Sequence, residues 1–164
     1  MVFFRVKRIK GKEYVYRVEN AWKGNTSRQK VKGYLGRAFR FIIGDNFSFS
    51  DFCRINDIEK YLKENNNEKI IRDLIEWELA RHQVLKSDFQ IDIDNKKIKK
   101  DGNDVTIIIN GGYMCEFTLR NLLDFRTENE EEDGHRLARA FVEAGIKVPE
   151  EIFIGLFGKL YREL

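Results

Sequence analysis

Alternation of apolar and polar residues over the first 36 positions constrains the fold of this chain most. Segments 2–7, 14–19 and 28–35 place side chains of one kind at every second position, which is the period of a half-buried β-strand. Glycine-containing turns separate these segments at 10–12 and 20–27. The pattern predicts a three-stranded antiparallel meander. Because such strands need a covering layer, we expect helices from the rest of the chain to pack on their apolar side.

The rest of the chain is mostly helical in its spacing. Apolar residues recur at helical intervals in five segments, at about 48–64, 68–86, 117–125, 135–144 and 149–163. Between the second and third segments, residues 87–110 predict a small antiparallel sheet. We therefore predict an α+β fold, in which an N-terminal three-stranded antiparallel meander packs with a helical body containing a second small antiparallel sheet. Residues 1–37 form the basic β-meander module and 38–164 the α+β helical body, together one compact unit.

Charge is distributed unevenly along the chain, although the formal net charge is only +3. Residues 1–40 contain 12 Lys and Arg against two Glu, a local charge of +10, and the remaining residues carry −7. Cations on one face of neighbouring strands repel each other unless a polyanion lies across them. In the third strand we expect Arg28, Lys30, Lys32 and Tyr34 to share one face. The excess of charge favours nucleic acid as the ligand.

Aromatic residues are interleaved with the cations of the meander. A charged groove with aromatic platforms can hold unpaired bases, at about 1–3 kcal/mol per stacked base. Because one face of the sheet must be buried, the core is the favoured place for Phe4, Tyr14 and Tyr16. For Trp22, in a polar loop beside Lys23, surface contact and burial both remain open. The candidate nucleic-acid-binding residues are Arg5, Lys7, Arg8, Lys10, Lys12, Tyr14, Tyr16, Arg17, Trp22, Lys23, Arg28, Lys30, Lys32, Tyr34 and Arg37.

The same segment carries a set of residues with a known counterpart. In chain order they are Gly11, Tyr14, Tyr16, Val18, Glu19, Arg28, Gln29, Tyr34, Leu35 and Gly36. With these residues, positions 3–37 resemble the basic β-rich leader of DDE-type transposases of bacterial and archaeal insertion sequences, and the start of small archaeal proteins. The resemblance implies nucleic-acid contact by this segment. The catalytic part of that family, an RNase H-like fold with three separated carboxylates, has no evident counterpart in the rest of the chain.

Asp92 and Asp94 are the carboxylates that an alternative function would use. They lie on the same side of one predicted β segment, and a metal-dependent nuclease could use such a pair. However, lysines at four of the positions 96–100 follow directly, and the alternation with apolar residues is typical of an ordinary solvated strand. We predict no catalytic residue and keep the nuclease as an alternative.

The sequence predicts neither a metal nor a cofactor. Cys53, His82, Cys115 and His135 do not form the short-spaced pairs that are typical of zinc sites. We expect both cysteines to be buried, reduced thiols and both histidines to be structural.

Membrane association is not expected, because no run approaches the roughly 18 apolar residues of a membrane span and no signal-peptide pattern opens the chain. We therefore expect a cytoplasmic protein. The C-terminal helix, with Gly155 and Gly158, is predicted to pack in the core, and a homodimer through this helix is the second interpretation. The acidic run 128–133 is predicted to be a solvated loop, with regulation of binding as the alternative.

These patterns together predict a nucleic-acid-binding protein without catalysis. RNA or single-stranded DNA is favoured, because no helix with a basic, base-reading face is visible. The alternatives are the metal-dependent nuclease and a protein–protein interaction module, for example one associated with the ribosome.

Overall fold

The computed structural model describes residues 2–128 and 131–162. In these ranges the strands are β1 (Val2–Ile9), β2 (Lys12–Lys23), β3 (Thr26–Arg40), β4 (Gln90–Asp92), β5 (Lys97–Lys100), β6 (Asn103–Ile109) and β7 (Gly112–Met114). The helices are α1 (Phe49–Cys53), α2 (Ile58–Glu64), α3 (Asn67–Arg81), α4 (Glu116–Leu123), α5 (Asp133–Glu143) and α6 (Glu150–Arg162), with a 3₁₀ turn at Val84–Lys86.

The predicted α+β fold is confirmed, and its two sheets share a strand. β1, β2 and β3 form the predicted antiparallel meander. The end of β3 then pairs in parallel with β6, Arg37 opposite Val105. β5 and β7 pair antiparallel with β6, and β4 pairs with β5, so the strand order is β1-β2-β3-β6-β5-β4 with β7 also on β6. The predicted boundary between residues 37 and 38 therefore falls inside β3.

Two β-bulges interrupt the pairing of β2 with β3. Leu35 and Lys32 are the extra residues, because each has no partner in β2 while its neighbours do. A single extra residue reverses the face to which the following side chains of a strand point. Between the two bulges, Tyr34 pairs directly with Tyr16, so the two rings share one face of the meander.

The bulges overturn one prediction about the third strand. Lys30 pairs with Glu19, three residues beyond the partner of Tyr34 along β2. Because successive side chains of a strand alternate between faces, Lys30 and Tyr34 point to opposite sides of the sheet. The expectation that Arg28, Lys30, Lys32 and Tyr34 share one face is therefore wrong.

The sheet is strongly curled. The ring of Phe4 in β1 stacks on the ring of Tyr113 in β7, with centroids 4.9 Å apart. β2, β3 and β6 lie between these strands, so a flat sheet would hold them about 19 Å apart. The concave side contains a small core of Val15, Ala38 and Ile108, with Phe4, Val6, Leu35 and Tyr113 packed against it.

The helical body forms the larger core. α3 is its central helix, and Ile70, Leu74 and Leu79 are fully buried there. This core continues onto β6 and β7 and onto Phe39 and Phe41 at the end of β3. We expected the helices to cover the whole apolar side of the meander, but they cover only its end. The curl of the sheet buries the rest of the apolar side.

The first two predicted helices are shorter than expected. The segment 48–64 forms α1 and α2, separated at Arg54, which takes the left-handed conformation (φ 55°). Asp57 begins α2 by accepting a hydrogen bond from a backbone N–H. The segment 68–86 ends as an α-helix at Arg81, after which Gln83 is left-handed and a 3₁₀ turn follows.

The acidic run divides at its last residue. Glu131 and Glu132 are exposed, as predicted for a solvated loop. Asp133 is fully buried at the start of α5, where it accepts hydrogen bonds from the backbone of Glu128 and from Arg136. Residues 129 and 130 lie outside the described residues. No α-helix in the described part of the chain is long and apolar enough to cross a membrane.

Candidate nucleic-acid interface

The convex side of the meander, which we call the aromatic face, faces away from the concave core. Arg5 and Lys7 alternate with the core residues of β1, and Tyr16 and Tyr14 pair directly with them. The same alternation continues along β2 and β3. By this alternation the aromatic face carries Arg5, Lys7, Ile9, Lys12, Tyr14, Tyr16, Trp22, Val31, Tyr34 and Arg37, together with Phe3, Asn20, Gln29 and the buried Val18.

Large apolar side chains are unusually exposed on this face. Trp22 is 74% exposed, Tyr34 57%, Val31 51% and Ile9 48%. These are four of the ten large hydrophobic side chains that are exposed in the described residues. They are spread along the face, since Ile9 pairs with Lys12 and Trp22 lies ten residues further along β2. Exposed rings among cations can each offer a stacking surface. The face therefore has the composition of a contact surface.

The tyrosines of the face lie against one another and not in a core. The ring centroid of Tyr34 is 5.2 Å from that of Tyr16 and 6.4 Å from that of Tyr14. Lys7 places its Nζ 4.9 Å from the centroid of the Tyr16 ring. Core burial is thus correct for Phe4 and wrong for Tyr14 and Tyr16, which are half-buried. Partial burial, and then the neighbouring tyrosines, raise the pKa of Tyr34, which favours its neutral phenol.

A groove of about 450 Å³ runs beside the tyrosines. Tyr14, Tyr34 and Arg37 line one side, and the other side is lined at the β5–β6 turn by Lys100, Asn103 and two carboxylates, Asp101 and Asp104. The Arg37 guanidinium carbon lies 4.7 Å from the centroid of the Phe39 ring. Its Nε is buried and, among the described residues, has no hydrogen-bond partner. This N–H is buried below the surface and is not itself accessible from the groove, so Arg37 contributes to the groove through its charge.

The other candidate residues lie elsewhere on the meander. Alternation places Arg8, Arg17, Lys23, Arg28 and Lys30 on the opposite side from the tyrosines, and Lys10 is in the β1–β2 turn. Lys32, at a bulge, forms an ion pair with Glu19, with its Nζ 3.1 Å from Oε2 of the carboxylate. The structure therefore brings together Arg5, Lys7, Lys12, Tyr14, Tyr16, Trp22, Tyr34 and Arg37, about half of the candidate set.

Two of the cations on the opposite side have structural partners. Arg17 stacks on Phe117 of α4, with its guanidinium carbon 4.4 Å from the ring centroid. Arg40 donates two hydrogen bonds to Glu13, at 2.8 and 2.9 Å. These bonds, followed by the charges of Arg40 and Arg8, lower the pKa of Glu13. Some of the cations that give residues 1–40 their excess charge therefore stabilise the concave side of the sheet.

Sequence reasoning missed the apolar and distant members of the site. Ile9 and Val31 carry a usable signal, because each is an apolar residue within a strongly charged strand. Lys100 and Asn103 carry no such signal, because they reach the groove through the parallel pairing of β3 with β6, 60 or more residues apart along the chain.

The aspartates of the nuclease alternative are bound by separate partners. Asp92 accepts hydrogen bonds from the backbone and side-chain nitrogens of Asn95, at 3.1 and 2.7 Å. Asp94 forms an ion pair with Arg72 of α3. Within residues 2–128 and 131–162, no group of three or more His, Cys, Asp or Glu residues could hold a metal ion.

The cysteines and the buried histidine are placed as structural residues. Cys115 is buried, whereas Cys53, expected to be buried, is half-buried because it lies at the end of the short helix α1. Burial raises the pKa of the Cys53 thiol to about 12, which favours the protonated form. His82 is buried, with Nδ1 2.8 Å from the carbonyl oxygen of Glu78.

In comparisons with known proteins, no family model, no curated protein and no solved structure matches this chain. The resemblance of residues 3–37 to a transposase leader therefore stays a prediction.

Proposed function

We propose that this chain is a non-catalytic nucleic-acid-binding protein of the cytoplasm that holds RNA or single-stranded DNA on the aromatic face. The observation that carries the proposal is the exposure of Trp22 and Tyr34 on the same face as Arg5, Lys7 and Arg37. Exposed rings among cations suit a ligand that has both flat, apolar bases and phosphate charges.

Different residues of this face would supply the stacking and the electrostatic contributions to binding. Trp22 and Tyr34 offer rings on which unpaired bases stack, at about 1–3 kcal/mol per base. Arg5, Lys7 and Lys12 would contact the phosphates, releasing counterions and making the affinity depend on salt. Arg37 lines the groove beside Tyr34 and would add its positive charge there.

The exposed rings favour a single strand over a duplex. Bases in a duplex already stack on each other, so a ring can contact a base face only where the strand is unpaired. In the described residues the helical core meets the sheet at Phe39 and Ile107, beyond Arg37 on the same side of the sheet, and it leaves the rings of Trp22 and Tyr34 exposed. A helix that could enter a groove of DNA is therefore not part of this surface.

Fluorescence anisotropy with a labelled single-stranded oligonucleotide tests the proposal. We expect Tyr34→Ala and Trp22→Ala each to weaken binding about tenfold, which corresponds to the loss of one stacked base. Tyr161→Ala is the matched control, because Tyr161 is a 49% exposed tyrosine on α6, outside this face. If Tyr34→Ala and Trp22→Ala bind the oligonucleotide as tightly as the control Tyr161→Ala, the aromatic face is not the binding surface.

The intrinsic fluorescence of the protein gives a second readout. The chain has two tryptophans, and Trp77 is only 4% exposed while Trp22 is 74% exposed. A stacked base would therefore quench Trp22 and leave Trp77 unchanged. Quenching that persists in Trp22→Phe would contradict stacking at this position.

The alternatives of the sequence analysis remain proposals with their own readouts. Cleavage of RNA or single-stranded DNA with a divalent metal, lost in Asp92→Asn, would favour the nuclease. A partner that stays bound after nuclease treatment would favour a protein-docking module. A homodimer through α6 would involve Ile154, which is 61% exposed, and would appear as a doubled mass in ultracentrifugation.

A further inference from the structure

The groove between α4 and α5 is lined by four arginines. It has a volume of about 530 Å³. It is lined by three carboxylates, Asp124, Glu128 and Glu143, and by four cations, Arg120, Arg126, Arg136 and Arg139. The arginines come from the part of the chain whose net charge is negative, so a charge count along the sequence conceals them. We call this cavity the arginine groove.

Carboxylates in and beside the groove occupy some of its donors. Arg120 pairs with Glu116 at 2.7 Å, and Arg139 pairs with Glu143 at 2.7 Å. A guanidinium has five N–H donors, so one such pair leaves most of them free. The side chains of Arg120 and Arg139 are 60% and 52% exposed, which leaves the free donors accessible.

Arg136 and Arg126 differ in how firmly they are held. Arg136 pairs with Asp133 at 2.6 Å and with Glu128 at 3.2 Å. Arg126 makes no ion pair with a described residue and donates to the carbonyl oxygen of the preceding Phe125. Arg126 is exposed, so its guanidinium is the cation of the groove that is most available to an incoming anion.

The arginine groove adjoins β1, the edge strand of the sheet. Arg139 donates a hydrogen bond from Nη2 to the carbonyl oxygen of Val2, at 3.1 Å. Val2 is the first residue of β1, which is the edge strand of the sheet. Arg5 of the aromatic face lies three residues further along this strand, a distance of about 10 Å. A nucleic-acid strand that leaves the aromatic face over the edge of β1 would therefore contact Arg139 first.

We infer that the arginine groove is a second phosphate-binding surface, into which a nucleic-acid strand held on the aromatic face continues over the edge of β1. The inference rests on the proposed function. Arginine suits this role because its planar fork binds phosphate oxygens in pairs. Phe125, an aromatic residue of the groove, is 9% exposed and covered by Arg136, so the contact here is with the backbone and not with bases.

Binding of oligonucleotides of two lengths tests the inference. A strand of about 6 nucleotides covers the aromatic face alone, and one of about 20 nucleotides reaches the groove. We expect Arg120→Gln/Arg126→Gln to weaken binding of the long strand about tenfold and to leave the short strand unchanged. The slope of log affinity against log salt for the long strand should fall in magnitude by about 1.4, for two lost phosphate contacts.

Arg54→Gln/Lys63→Gln is the matched control. It removes the same charge from two exposed residues near α2, outside both surfaces. If the groove variant binds the long strand as the wild type does, or if the control loses as much affinity, the inference is overturned. If neither strand binds the wild type, the proposed function itself fails, which is a distinct result.

Discussion

At the scale of single residues, Gly36 sets the place where the meander joins the rest of the sheet. Its φ is +95°, and a Cβ built on it would lie 2.2 Å from the backbone oxygen of Asp104. β3 can therefore approach β6 here only with glycine. Before this residue β3 leaves β6, and the gap between them holds the groove beside Tyr34.

Glu13 shows how individual charges of the meander are used within the fold. Its hydrogen bonds with Arg40, and then the charges of Arg40 and Arg8, hold its pKa below the ordinary value of 4.5. A carboxylate whose pKa is lower in the folded state stabilises the fold above its unfolded pKa. That stability is lost as the pH falls through the folded-state pKa.

We therefore expect the difference in unfolding free energy between the wild type and Glu13→Gln to be constant above pH 4.5 and to shrink below it. Chemical denaturation at about pH 6, 4.5 and 3 measures this difference. Glu59→Gln is the control, because Glu59 is exposed and forms no ion pair with a described residue. If the difference in unfolding free energy between the wild type and Glu13→Gln stays constant down to about pH 3, Glu13 does not stabilise the fold through its charge.

At the scale of elements, the order of the three strands and the first turn of the meander were predictable because local sequence determines them. The second turn, expected over 20–27, is wrong, because β2 continues through Trp22 to Lys23 and β3 begins at Thr26. Lys10-Gly11 and Asp101-Gly102 take positive φ at both positions, as two-residue hairpin turns require. The bulge at Lys32 was not predictable, because it depends on pairing with β2 and not on the composition of β3. Tyr34 reaches the aromatic face only through that bulge, so this part of the site was hidden from the sequence.

The far half of the β2–β3 hairpin has little support from packing. Residues 20–32 are all exposed, whereas Val15 and Ala38, nearer the body, are buried. Hydrogen-bonded strands without buried side chains open at low free energy. We expect backbone amides of residues 20–30 to exchange with deuterium faster than those of 13–18, as measured by mass spectrometry.

A bound strand should change this pattern. If bases stack on Trp22, which lies in the far half, a single-stranded oligonucleotide will slow exchange there and leave α3 unchanged. Uniform slowing along the chain would point instead to a general rise in stability. Exchange that is unaltered at residues 20–30 would contradict contact at this part of the face.

At the scale of the whole molecule, the net charge of +3 conceals two surfaces and an internal network. The charge count along the chain draws attention to the meander, but it cannot separate the cations that face outward from those that stabilise the concave side. Curling of the sheet makes that separation, and it depends on contacts such as Phe4 with Tyr113, more than 100 residues apart. The arginine groove was hidden for the same reason, since α4, α5 and the segment between them contribute its cations from an acidic part of the chain.

The division of charge predicts a modest salt dependence for a short single strand. Four cations lie on the aromatic face, Arg5, Lys7, Lys12 and Arg37. At about −0.7 per phosphate contact, the slope of log affinity against log salt should be about −3, although the meander carries 12 cations. Lys7→Gln/Lys12→Gln should reduce its magnitude by about 1.4, and Lys60→Gln/Lys63→Gln on α2 should leave it unchanged.

Competition between a single strand and its duplex separates stacking from charge alone. A duplex has more phosphates but no free base faces, so a surface that acted only through charge would prefer the duplex. We expect the unlabelled single strand to displace a labelled single strand at lower concentration than the duplex does, because Trp22 and Tyr34 can stack only on unpaired bases. In Tyr34→Ala the preference for the single strand over the duplex should be smaller, because one stacking contact is lost while the phosphate contacts remain. A duplex that competes equally well against the wild type would mean that the exposed rings of this face serve another partner.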